Sequence, residues 1–401
     1  MNGHHKIQQN KLFKIGLIFN ANKVYDRQII EGIGHYTQSS RANWDIFLEE
    51  DWVASLNNLD AWNVDGIIAD FDNPDVVKAV LNRGIPCIGV GSSYVDTKQY
   101  PNAHYVGTDN EAVIQTAFDH LKHKGIQHFA FYGIENSPYR KWAKEREYWF
   151  TKLCKRAGFS YSIFQSGETH VENWNESMDK LSEWIVSLTH STGIIAVTDA
   201  RARHCLQACL NLDIAVPEAI SVVGVDDDEI ARHLSRISLS SVTQGTVEMG
   251  FKASKMLYKV LTSKNPHATP VKYQRVLVKP EGIQQRGSTD FKALQDPYVI
   301  QAMFYIKQNA TRGIKAQQVL DFVGISRSNL ELRFEQEVGC SIHAKIHAEK
   351  LNQAIELLET TDKPLSFISK KAGYPSTQYM YAVFKKHFNA TPNQYRRGLD
   401  S

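Results

Sequence analysis

The chain has 401 residues, 42% hydrophobic and 22% charged, with a formal net charge of +3. So small a charge says little about partners. No run approaches the roughly 18 apolar residues of a membrane span, and Met1 to Lys11 is polar, so neither a span nor a secretory signal is expected and a cytoplasmic protein fits. The five cysteines (Cys87, Cys154, Cys205, Cys209, Cys340) are odd in number and scattered, as in a reducing compartment.

After a flexible N-terminus, 1–11, short β-rich runs alternate with helical stretches as far as 285. The runs are Phe13–Phe19, Gly66–Ala69, Ile85–Val90, Phe129–Gly133, Gly193–Val197, Ile220–Val225 and Val276–Val278. Near-continuous apolar strands with helices between them predict parallel sheets covered on both faces. Seven or more strands over this length suit two α/β lobes better than one. No Gly-x-Gly-x-x-Gly or phosphate-loop motif follows any strand, which disfavours a nucleotide fold.

Polar residues gather just after the strand ends, where open α/β sheets bind ligands. The first strand runs into Asn20, Tyr25, Asp26 and Arg27, and the Gly66 strand into Asp70 and Asp72. The later strands deliver Thr198, Asp199 and Arg201, then Asp226, then Gln244. Carboxylates at strand ends also cap the next helix, and about half of these would do only that. The collection, with Tyr25, Tyr94 and Trp142 nearby, suits a sugar: hydroxyls need paired donors and acceptors, and rings cover its C–H face.

These runs resemble the ligand-binding core of LacI/GalR repressors and periplasmic sugar-binding proteins. The resemblance implies sugar contacts at Arg146, Thr198, Asp199, Asp226 and Gln244, beside Asn20, Asp26, Arg27, Asp70 and Asp72. Where that family often has a charged contact after its third strand, this chain has Gly91-Ser92. His204, Cys205 and Cys209 have a helical spacing that suits metal but lack a fourth ligand, so they are read as buried side chains, and no metal or cofactor is expected.

A linker, 286–295, leads to an all-α region, 296–401, that opens with Asp296 as N-cap and Pro297 at the first helical position. Val299, Met303 and Ile306 follow along one face. Two helix–turn–helix units come next, at Val319–Phe334 and Leu365–Phe384. In each, a helix stops at a glycine (Gly324, Gly373) and an N-capping serine (Ser326, Ser376) starts a second one. Leu330 and Phe334 match Met380 and Phe384 as core anchors, and a stripe of Ile342, Ile346, Leu351, Ile355 and Leu358 marks a helix between the units. One such unit reads equally well as an ordinary αα-corner; two at matching offsets favour a DNA reader.

Charge agrees. From Phe291 onward fifteen Lys/Arg face ten Asp/Glu, and between Lys363 and Arg397 no acidic residue occurs. Arg327, Ser328, Asn329 and Glu331 in the first unit, and Ser376, Thr377, Gln378 and Tyr381 in the second, are the expected reading face. Arg333, Lys385, Lys386 and Arg396 are expected phosphate clamps.

The stretch from Gly373-Tyr374 to Arg396 resembles the signature of the AraC/XylS regulators, with Asn389 where that family commonly has glycine. End to end, the order of the halves is similar to sugar-operon activators in which a LacI-type core precedes an AraC-type reader. That resemblance implies D-xylose as effector, promoter DNA and RNA polymerase as partners, and a homodimer paired through the core. Another pentose or a hexose is the alternative. An enzyme acting on sugars would need paired carboxylates; Asp226-Asp227-Asp228 is the one tempting run, and no nucleophile–base pattern accompanies it. A transport binding protein would not carry DNA readers.

Overall fold

The computed structural model describes residues 11–49, 58–188, 191–263, 273–290, 294 and 296–397, so the expected flexible segment 1–11 lies outside the described residues except for Lys11. The chain divides into two compact units. One takes the described residues up to Leu188, within Thr192–Leu212 and within Val222–Asp290; the other takes Ser191, Asp213–Ser221 and the described residues after Phe291. Among the described residues no helix is long and apolar enough to cross a membrane.

The first unit begins with β1 (Phe13–Ile18), α1 (Val24–Ser39), β2 (Trp44–Leu48), β3 (Gly66–Asp70), α2 (Pro74–Leu81), β4 (Cys87–Ser92) and β5 (His104–Thr108). Helix α3 (Asn110–His123) leads into β6 (His128–Ile134), α4 (Lys141–Ala157), β7 (Ser160–Ser166), α5 (Trp174–Ser187) and β8 (Thr192–Ala196). Then come α6 (Asp199–Asn211), β9 (Ile220–Val225), α7 (Glu229–His233), β10 (Ser240–Thr243), α8 (Thr246–Leu261), β11 (Arg275–Val278) and β12 (Gly282–Gln284). Among the described residues these form two six-stranded sheets, ordered β11-β5-β4-β3-β1-β2 and β12-β10-β9-β8-β6-β7. β12 runs antiparallel to β10; the other registered pairs are parallel.

All seven expected runs are strands. Their apolar continuity has the anticipated cause: Ile67, Ile68 and Ala69, like Ile194, Ile195 and Ala196, are wholly buried because helices cover both faces. The chain passes between sheets after β5, β10 and β11, so three crossovers join two lobes whose strand ends face a common cleft. On the first lobe α1 and α8 lie backbone to backbone. A Cβ on Gly32 would strike the Val247 carbonyl, and one on Gly250 the Ile29 carbonyl, so only glycine permits this approach.

The expected linker, 286–295, opens inside this unit. Ser288 and Thr289 are fully buried, with Ser288 Oγ donating to Val222 O at 2.6 Å, and the segment is locked to the second sheet as far as Thr289.

The second unit contains α9 (Pro297–Asn309), α10 (Ala316–Val323), α11 (Arg327–Val338), α12 (Ile342–Thr360), α13 (Leu365–Lys371), α14 (Thr377–Phe388) and α15 (Pro392–Arg397). Asp296 caps α9, its Oδ1 accepting from Tyr298 N at 2.9 Å, with Pro297 behind it. Gly324 and Gly373 take φ of +76° after α10 and α13, and Asn389 takes +52° after α14. Asparagine therefore serves at the position where glycine was expected. Ser376 caps α14, its Oγ accepting from Tyr379 N at 3.1 Å; Ser326 holds the same position before α11 without a side-chain bond.

Two small cores result. Val299, Met303, Ile306, Val319, Leu330, Phe334, Ile342 and Ile346 form the first; Leu351, Ala354, Leu358, Ile368, Met380 and Phe384 form the second. Helix α12 contributes to both. The loop Asp213–Ser221 adds Ala215 and Ala219 to the first core. Its Glu218, 1% exposed, lies 3.0 Å from Lys307 of α9.

Candidate functional site: an interlobe sugar cleft and a paired DNA-reading face

The cleft of the first unit is a cavity of about 630 Å³. The first lobe supplies Lys23, Tyr25 and Asp26 from the start of α1, and Asp70, Asp72 and Ser92 from the ends of β3 and β4. The second lobe supplies Tyr139, Trp142 and Arg146 from α4 and its approach, Thr198, Arg201 and His204 from α6, and Asp226 and Gln244.

On the first lobe each carboxylate is aimed by its neighbours. Asp72 accepts from Ser92 N and Ser92 Oγ, both at 3.0 Å, and Asp70 accepts from Asp72 N at 2.9 Å and lies 3.3 Å from Lys23 Nζ. Asp26 Oδ2 accepts from Asn20 N at 2.6 Å, while its Oδ1 is buried with no protein partner. Burial and the crowding of Asp70 push the Asp26 and Asp72 carboxyls above the usual carboxylate range, with Lys23 opposing. Tyr25 OH donates to Gly91 O at 3.1 Å, fixing its ring against the floor.

On the second lobe, Arg146 spends three donors on protein: Nε on Asn110 Oδ1 (3.0 Å), Nη1 on Val197 O (2.7 Å) and Nη2 on Gln244 Oε1 (3.0 Å). Gln244 Nε2 in turn donates to Asp226 Oδ1 at 2.5 Å. Burial lifts the Asp226 carboxyl to about 6, against the pull of Arg146 and the Gln244 bond. Asp226 also has φ +115° and Asp227 φ +52°, backbone conformations that non-glycine residues adopt at a cost and that gather at ligand sites.

Of the ten sugar contacts expected from sequence, Asp26, Asp70, Asp72, Arg146, Thr198, Asp226 and Gln244 line this cavity together. Three do not. Asn20 shapes the loop before α1, and Arg27, exposed, donates to Ala21 O and Asn22 O at 3.0 and 3.1 Å, closing that loop from outside. Asp199 sits behind the wall, accepting from Ser241 Oγ (2.6 Å) and Asp228 N (2.7 Å), so it holds the Asp226–Asp228 turn. Its place explains Gly224, where a Cβ would run into the Asp199 carboxylate. Lys23, Ser92, Tyr139 and His204 line the cavity without having been assigned. The cue for Lys23 was its position one turn ahead of Asp26. His204 packs edge-on against Trp174 with ring centroids 5.2 Å apart, and Cys205 and Cys209 are buried.

On the second unit, Arg327, Ser328 and Asn329 are exposed along α11 and Glu331 is half-exposed, while Leu330 and Phe334 are wholly buried on the opposite side. On α14, Gln378 is exposed, Thr377 and Tyr381 are half-exposed, and Met380 and Phe384 are buried. The amphipathic split follows from the i, i+4 anchors and leaves two polar helix faces for base edges. Tyr379, 42% exposed, joins this face unassigned. Two expected clamps are engaged inside the fold. Arg333 binds Asp296 Oδ2 at 2.5 Å and Asn329 Oδ1 at 2.6 Å, and Arg396 donates to Lys363 O at 2.9 Å. Lys385 Nζ donates to Asn389 O at its own helix end (3.2 Å), and Lys386 is exposed.

Family profiles match along the chain: an XylR N-terminal domain at residues 14–111, a periplasmic binding protein-like domain at 118–289 and a helix-turn-helix domain at 320–398. The xylose operon regulatory protein of Escherichia coli (strain K12) is 50% identical over 386 residues, 96% of this chain and 97% of that protein. The protein of the same description from Haemophilus influenzae (strain ATCC 51907 / DSM 11121 / KW20 / Rd) is 47% identical over 384 residues, 96% of this chain and 98% of that one. The chain belongs to the xylose operon regulatory protein family.

A solved structure described as the xylose-binding transcription activator xylR superposes with a TM-score of 0.83 at 48% identity, covering 97% of this chain and 98% of that one. As a member of this family the chain is a transcription regulator and not an enzyme, with a sugar-binding-type core ahead of a helix–turn–helix DNA reader.

Proposed function

We propose that this regulator is a cytoplasmic, D-xylose-dependent activator. The observation that carries the reading is the cleft's complementarity to a small polyol. Asp26 Oδ1 lies buried without a partner across from the Arg146–Gln244–Asp226 chain, so acceptors of one lobe oppose fixed donors and acceptors of the other. A bound pentose bridging the lobes favours one lobe arrangement by its differential affinity, which changes how the readers are presented. The solved relative described as xylose-binding supports xylose over other pentoses.

In this reading Asp26, Asp70, Asp72, Arg146, Thr198, Asp226 and Gln244 contact the sugar, helped by Lys23 and Ser92, while Asn20, Arg27 and Asp199 hold the loops that carry them. Arg327, Ser328, Asn329, Glu331, Thr377, Gln378 and Tyr381 read bases, and Lys385 and Lys386 meet phosphates. Ser376 starts the second reading helix. The working boundaries are a core at 12–285 and a reader from 296. Two cores pair into a homodimer with four reading helices, which recruits RNA polymerase at a promoter.

Calorimetry with xylose, arabinose, ribose and glucose, with operator affinity measured beside it, tests this. Xylose should bind and change DNA affinity. Selective binding of another sugar would move the assignment to that effector, and no binding by any would remove the sensor role.

A further inference from the structure

The second unit contains a cleft of about 840 Å³ between its two helix–turn–helix halves. One wall is the turn before α10 and its first residues, with Arg312 and Lys315; the floor is α12, with His343, His347 and Lys350; the far wall is the end of α13 and the turn after it, with Lys370. Among the described residues no acidic one lines it. Tyr379 stands at its rim, next in sequence to Gln378, so the cleft opens beside the face that reads bases.

Lys350 decides what the cleft is for. It is only 8% exposed and, among the described residues, has no hydrogen bond or ion pair. Burial lowers the pKa of its ammonium below the ordinary lysine value, and no carboxylate offsets that. Lys345, five residues earlier on the same helix, is by contrast held by Glu349 at 2.8 Å. The Lys350 stem is packed away while its ammonium opens on the cleft without a carboxylate beside it, so an anion seated there would offset part of its desolvation. The start of α10 lies on the opposite wall and adds the positive end of its dipole.

We propose that this cleft seats a phosphodiester group of the DNA backbone between the two reading helices, with Lys350 as its buried contact and Lys315 and Lys370 flanking it. The inference rests on DNA being read through α11 and α14. It assigns the segment of backbone lying between their two grooves, which neither helix touches in the reading above.

The test uses the full chain with an operator duplex and a non-cognate duplex of equal length, titrated over a range of salt. Lys350→Met should weaken both duplexes alike, by about five- to tenfold near physiological salt, and reduce the salt slope by about one. Lys370→Gln on the opposite wall should act in the same direction, and Lys345→Met should change neither duplex. The free Lys350→Met protein should melt no lower than the parent, because methionine can fill the place of the packed stem and no ion pair or hydrogen bond of Lys350 among the described residues is lost.

Unchanged affinity and slope in both Lys350→Met and Lys370→Gln would overturn the proposal. So would a rise in melting temperature with inorganic phosphate in the parent, absent in Lys350→Met, if DNA binding stayed unchanged; the cleft would then hold a soluble anion. Gln378→Ala run beside them reports on base reading alone. If it loses base preference while the lysine variants behave as the parent, base reading stands and the phosphate seat falls.

Discussion

Arg146 Nη2 donates to Gln244 Oε1 at 3.0 Å, which turns the Gln244 amide so that its Nε2 faces Asp226. The guanidinium therefore fixes the orientation of an amide that alone could bind in either sense. Arg146→Lys keeps the charge but loses the fork that spans Asn110, Val197 and Gln244. We expect it to weaken sugar binding by at least tenfold in calorimetry while operator affinity without sugar stays unchanged. Parent-like sugar affinity would show that charge alone suffices.

Asp226→Asn should separate binding from stability. Loss of a charge-assisted bond to a hydroxyl costs about 1.5–3 kcal/mol of sugar affinity. The same change removes a buried carboxylate from a site that disfavours its ionised form, so the free protein should melt higher at pH 7.5. A variant that melts lower would place the charge among the stabilising interactions.

The pH dependence has a definite sign. Asp226 holds its proton to about pH 6, above its unfolded value, so the folded chain binds more protons than the unfolded chain between about 4 and 6. The stability this gives is fully present below the unfolded pKa and is lost as pH rises through about 6. Ligand-free protein should accordingly show a stabilising increment at pH 5 relative to pH 8, reduced in Asp226→Asn. Sugar affinity should run the other way, rising with pH as the carboxylate becomes an acceptor. Parallel trends in the two measurements would contradict this.

Asp199 tests an indirect role. Asp199→Ala leaves Asp228 N and Ser241 Oγ without their acceptor, so it should lower stability by about 1–3 kcal/mol in denaturant titrations. Ser241→Ala should reproduce a smaller part of the same loss. If Asp199→Ala instead reduced sugar affinity at parental stability, the residue would be a direct contact.

Much of the core was legible in sequence because parallel strands buried on both faces read as unbroken apolar runs. The strands that escaped notice lack that signature. β2 and β7 are edge strands with most side chains partly in solvent, β5 mixes His104, Gly107 and Thr108 with apolar residues, and β12 has three residues. Six of the seven expected residues that line the cleft follow strand ends, where parallel strands converge; Arg146, inside α4, came from the resemblance. Asp199 was misplaced by the same rule: one step into α6 turns its side chain from the cleft into the wall. For Arg333 and Arg396, sequence gave the charge but not the partners, which come from 37 and 33 residues away.

Gly373 joins the two halves of the reader. Its φ is +76°, and a Cβ there would meet the Thr311 backbone at 2.5 Å. Gly373→Ala should therefore cost more than the roughly 1–2 kcal/mol of a left-handed alanine and lower the melting temperature, whereas Asn389→Gly should be neutral or mildly favourable.

The loop Asp213–Ser221 belongs to the DNA-reading unit although its sequence lies between Thr198 and Asp226, two lining residues of the sugar cleft. A chimera spliced at a single point near residue 291 would inherit this loop from the donor of the sensor, and with it Ala215, Ala219 and Glu218 of the reader's own core. Exchanging sensors between such regulators therefore calls for two exchanges: the reader after 291 and the nine-residue patch that completes it.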